Sequence, residues 1–165
     1  AVAVENKIEY TDPNCFVVSN GVITDYKNPT TALNTIMDAL VDKVYAIPEP
    51  TGLSTDRVYD SDKCPRDVVI PEEINGVTIT GIGKHAFAMD DIYTIDIPVT
   101  ITSLSDAMFK YGYSNNYFTT IYIHDEKQKE LDWGTFVNFE GCNSYYKKET
   151  GVILNTNGNV KVVLR

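Results

Sequence analysis

At 165 residues, 43% of them hydrophobic and 22% charged, the chain is long enough for a substantial core and has an ordinary globular composition. Its 14 Lys and Arg against 23 Asp and Glu give a formal net charge of -9, which opposes nucleic acid and anionic membrane surfaces. No run approaches the ~18 apolar residues of a membrane helix, and the sequence opens at Ala1 rather than Met, as a processed or trimmed product would.

The first element expected is a hairpin over residues 16–24, where apolar alternation surrounds Asn20-Gly21. Asn and Gly both tolerate the positive φ of a type I′ turn. Residues 30–47 then change period. Leu33, Ile36, Met37, Leu40, Val41 and Val44 fall on one face of a helix, with Thr30 or Thr31 as its cap and Pro48 as its stop. Residues 48–66 carry Pro48, Pro50, Gly52 and Pro65 and read as a long loop. Asp56, Asp60 and Asp62 within it fit no calcium-loop spacing and read as solvated acids.

Residues 67–123 say nearly the same thing twice. Val68-Val69-Ile70-Pro71 … Ile82-Gly83-Lys84-His85-Ala86-Phe87 is followed by Ile95-Asp96-Ile97-Pro98 … Leu104-Ser105-Asp106-Ala107-Met108-Phe109, and Ile121-Tyr122-Ile123 starts a third unit. The two Ile-Pro pairs lie 27 residues apart. Each unit reads as strand, turn, short helical turn, strand. Alternation turns Val68 and Ile70, Ile95 and Ile97, and Ile121 and Ile123 inward, and Val69, Asp96 and Tyr122 outward. Self-similarity at such a period is the mark of a leucine-rich-repeat-like solenoid, whose units must stack to cover their apolar sides.

Downstream, residues 124–132 form a mixed charge run that reads as a solvated face. Trp133, Phe136, Phe139 and Cys142 resemble a degenerate third unit, and residues 152–154 and 160–164 flank Asn157-Gly158 as a closing hairpin. The expected architecture is α+β: one domain, 1–165, with an N-terminal cap over 1–66, repeats over 67–123 and a degenerate repeat plus C-terminal cap over 124–165.

Cys15, Cys64 and Cys142 are not spaced as metal ligands, and no metal site is expected. A Cys15–Cys64 bridge would close 49 positions and contribute about 4 kcal/mol on the chain-entropy account. The alternative is three buried free thiols. No serine elbow or phosphate loop is present, and His85, His124, Glu72-Glu73 and Asp90-Asp91 read as surface or turn residues. No catalytic residue and no cofactor are expected. The eleven tyrosines suit a recognition surface, because tyrosine gives large contact area at low entropic cost. The expected binding patch is Thr94, Asp96, Thr120 and Tyr122 on the sheet face, joined by loop residues Tyr111, Tyr113 and Tyr117. Solenoid-capping rings are the alternative use of those tyrosines.

The segment from Asp67 to Phe87, with its Val69-Ile70-Pro71, Ile74-Asn75-Gly76-Val77, Ile82-Gly83 and Ala86-Phe87 steps, closely resembles BspA-like leucine-rich repeats of bacterial surface proteins. Thr94 to Leu104 fits the second form of that unit. The resemblance covers about a third of the chain. It implies a secreted or cell-surface location, a protein partner or host surface ligand, and adhesion without enzymatic activity. A pilin-like assembly subunit or spacer of a larger surface protein is the alternative.

Overall fold

Asn20 and Gly21 adopt φ angles of 51° and 79°, the left-handed pair of a type I′ turn, and fold strand β1 (Phe16–Ser19) antiparallel onto β2 (Val22–Tyr26). The expected hairpin is there. The computed structural model describes residues 8–26, 64–87, 92–106, 118–137, 144–154 and 158–165, which form mostly strands and one short helix. The helix expected over 30–47, the acids Asp56, Asp60, Asp62, Asp90 and Asp91, and Met108, Phe109, Phe139 and Cys142 lie outside the described residues. Among the described residues no helix is long and apolar enough to cross a membrane.

From Asp67 onward the chain alternates between two sheets. Strands β3 (Asp67–Val69), β7 (Thr94–Asp96) and β9 (Thr120–Ile123) lie side by side and parallel, with Val68 opposite Ile95 and Ile95 opposite Ile121. Strands β6 (Gly81–Ile82) and β8 (Ser103–Leu104) instead join β2, again in parallel, in a four-stranded sheet. A small hairpin, β4 (Glu73–Ile74) and β5 (Val77–Thr78), sits between β3 and β6 on a second type I′ turn at Asn75-Gly76.

The core lies between the sheets. Val68, Ile95, Ile97, Ile121 and Ile123 turn inward, all at 1% exposure or less, and meet Ile82, Ala86 and Phe87 from the other side. Each of the valine, isoleucine and phenylalanine side chains contributes about 1.5–3 kcal/mol by leaving water. The ring of Phe87 packs on Tyr26, which packs on Phe16, so the first hairpin closes one end of the core. A disulfide between Cys15 and Cys64, with Cα atoms 5.6 Å apart, ties that hairpin to the start of β3. The N-terminal segment also seals the edge of β3: Thr11 N–H donates to the Val69 carbonyl, and Val69 N–H donates to the Thr11 hydroxyl.

At the other end, β12 (Val160–Leu164) adds to β9 in parallel, followed by β11 (Val152–Leu154) and β10 (Tyr145–Lys147), both antiparallel to their neighbours. The closing hairpin thus extends the larger sheet to six strands. Helix α1 (Trp133–Phe136), capped by the Asp132 carboxylate, buries Trp133 and Phe136.

One residue of the charge run ahead of α1 departs from the solvated face expected of it. Gln128, expected on a solvated face, is 4% exposed. Its amide N–H groups reach the carbonyls of Pro98 and Ile101 at 2.8 and 3.4 Å, and its side-chain oxygen accepts from the backbone of His124 and Asp125. Its own carbonyl accepts from the Trp133 indole. One polar side chain therefore pins the turn after β9 to the turn after β7, and its hydrogen bonds offset the cost of burying the amide.

Candidate functional site

The six-stranded sheet gives its inner face to the core and leaves an outer face of alternate residues. Direct cross-strand partners run Asp67, Thr94, Thr120, Lys161, Val152, Lys147 from β3 to β10. One step along, Val69, Asp96, Tyr122 and Val163 form a second row, and beyond it stand His124 and Arg165. The expected patch of Thr94, Asp96, Thr120 and Tyr122 is brought together there, two by two on adjacent strands. Thr94 donates to the Asp67 carboxylate at 2.9 Å, and Thr120 pairs with the Thr119 hydroxyl at 3.2 Å. Tyr111, Tyr113 and Tyr117 lie outside the described residues.

Asp96 plays a different part from the one expected of it. Although it faces outward, its side chain is only 5% exposed. One carboxylate oxygen lies 2.6 Å from His124 Nε2, and the other accepts from the Arg165 guanidinium at 2.7 Å. The guanidinium stacks over the Tyr122 ring, 4.0 Å from its centre, a favourable placement of a cation on an aromatic face. Asp96 therefore supports the patch from beneath, while Tyr122 and Arg165 present it.

His124 completes the clasp. Its Nδ1 lies 3.0 Å from the Arg165 carbonyl, and its Nε2 faces the Asp96 carboxylate. Both ring nitrogens are thereby occupied by oxygen partners within the clasp. His124 also stands where proline follows the two earlier strands, and its backbone N–H donates to Gln128, a bond proline could not make.

His85, read as a turn residue, lies in the turn after β6 at φ 61°. Gly83 in the same turn packs against the first hairpin: a Cβ there would stand 3.2 Å from the Ile23 carbonyl oxygen. Among the described residues no group of three or more His, Cys, Asp or Glu could hold a metal ion. No protein-family model, no curated protein and no solved structure matches this chain.

Proposed function

We propose that this chain is a non-enzymatic protein-binding module of a bacterial surface or secreted protein, built as a short leucine-rich-repeat-like solenoid of the BspA-like kind. The outer face of the six-stranded sheet is its contact surface, with Thr94, Thr120 and Tyr122 at the centre and Asp96 as their support. The observation that carries this reading is the clasp of Asp96, His124 and Arg165. It fixes an aromatic ring and a half-exposed guanidinium on a broad face, while leaving its own titratable groups bonded to one another. Pre-organised aromatic and arginine side chains are the usual anchors of protein interfaces.

The solenoid part of the reading is supported by register. Val68, Ile95 and Ile121 are consecutive partners, 27 and 26 positions apart, as stacked repeat units require. The secreted location is supported by the Cys15–Cys64 bridge, because disulfides persist in oxidising compartments.

The test is site-specific photo-cross-linking on intact cells or with purified surface proteins of the environment. A benzophenone side chain at position 94 or 120 should give discrete adducts, and one at position 77, on the exposed β5 hairpin, should not. Adducts from position 77 alone would overturn the assignment of the face.

A further inference from the structure

The outer sheet face bears a charge opposite to that of the chain. Against a formal net charge of -9, the β12 and β10 end of this face carries Lys161 and Lys147, both exposed, and Arg165, whose side chain is 51% exposed. The acids on the same rows do not cancel them. Asp67 lies at the opposite edge of the sheet, and Asp96 is enclosed between His124 and Arg165.

Arg165 is only partly engaged. Of its five guanidinium N–H donors, the Asp96 contact uses one nitrogen, Nη2, and among the described residues the group makes no other hydrogen bond. The stack on Tyr122 holds it flat, so its remaining donors are fixed in space. Lys161 precedes Arg165 by four residues on the same side of β12, a separation of about 13 Å along an extended chain. An extended partner segment repeats its own same-side residues at the same pitch. Carboxylates four residues apart on that segment therefore meet both cations.

Between the cations the face is not uniformly charged. Val163 and Tyr122 lie between Lys161 and Arg165, and the exposed pair Tyr145 and Leu154 lies beyond. Apolar ground with cations at its margins fits a polypeptide whose acids are interrupted by uncharged residues, and fits a uniformly charged polymer poorly.

Resting on the reading of this face as a protein-binding surface, we infer that its partner presents an acidic, extended polypeptide segment, with carboxylates received by Arg165 and Lys161 and steered by Lys147. Such recognition draws on the planar fork of arginine for geometry and on lysine as a point charge.

Fluorescence anisotropy of the whole chain with labelled pentapeptides at about 0.15 M salt tests this. Glu-Thr-Val-Thr-Glu should bind at least roughly tenfold more tightly than Lys-Thr-Val-Thr-Lys. Lys161→Glu and Lys147→Glu, at exposed positions outside the clasp, should each weaken the acidic peptide severalfold, and Arg165→Gln should weaken it further. Lys84→Glu, in the turn after β6 on the other sheet, should leave it unchanged. Equal binding of the two peptides, indifference to Lys161→Glu, or binding of polyglucuronate in place of the acidic peptide would each overturn the inference. If the peptide result fails while cross-links from positions 94 and 120 persist, the acidic partner alone is wrong. If those cross-links are also absent, the binding face itself is wrong.

Discussion

The two parallel ladders of this protein differ in width and in what they present. In the larger sheet, β7 and β9 pair over three residues and β9 and β12 over four, with isoleucine or valine on the inner side and chemically varied side chains on the outer side. In the smaller sheet, β2, β6 and β8 pair over only two residues at a time. One of its two rows sets Gly81 between Val22 and Ser103. A Cβ added to Gly81 would stand 3.2 Å from the Ser103 hydroxyl oxygen, and Gly83 is as closely approached by the Ile23 carbonyl. One ladder is a wide platform that can present side chains, and the other is a tight corner that brings the chain back. The difference separates residues that recur for packing from residues that reach the outer face.

The largest effects should come from the platform's inner row. Ile121→Ala removes a fully buried side chain between Ile95 and Val162 and should cost about 2–5 kcal/mol in a chemical denaturation experiment. Leu104→Ala, at a partly buried position on the corner ladder, should cost about half as much or less. Equal losses would erase the distinction between the ladders. Next in size is the Cys15–Cys64 bridge. Replacing both cysteines with serine should lower stability by about 2–4 kcal/mol and loosen the first hairpin, seen as faster amide exchange in β1 and β2 before β9 is affected.

Two acids on the same outer face give a sharper contrast. Asp96→Asn should cost about 1–3 kcal/mol, since it replaces one of the two oxygens shared between His124 and Arg165 with an amide donor, whereas Asp67→Asn should fall within about 0.5 kcal/mol.

The smallest effect concerns the far edge of the platform. Burial, then the nearby Glu130 and Glu149 carboxylates, hold the Tyr146 phenol above its usual range near 10. The folded state thus keeps its proton longer than the unfolded state, so this contribution is fully present below pH 10 and is lost as pH rises beyond it. Tyr146→Phe should flatten that alkaline decline in a pH series of denaturation midpoints.

The sequence makes the platform legible because strand alternation and a fixed period are local signals. Ile95 and Ile97 announce the inner face, and Asp96 between them must turn outward. The Asn20-Gly21 hairpin is equally plain, while the identical signal at Asn75-Gly76 is hidden inside the repeat pattern, where it reads as part of the unit. The clasp is a different matter. It joins Asp96 to His124 across 28 positions and to Arg165 across 69, and its existence depends on β12 adding to β9 in parallel. Nothing local in a lone histidine or a final arginine announces that. Gln128 was masked in the same way by its charged neighbours, because a polar residue in a polar run gives no sign that it faces inward.

The most direct test of the outer face is to obstruct it. A Thr94→Trp, Thr120→Trp double variant places two bulky, uncharged side chains at the centre of the platform, and Val77→Trp places one on the β5 hairpin. With thermal unfolding used to verify that both remain folded, binding to a cross-linked partner is measured by surface plasmon resonance. The double variant should lose at least roughly tenfold in affinity, about 1.4 kcal/mol, while the Val77 variant keeps it. Retained binding by the double variant, with loss in the Val77 variant, would contradict the assignment of the six-stranded sheet face as the binding surface.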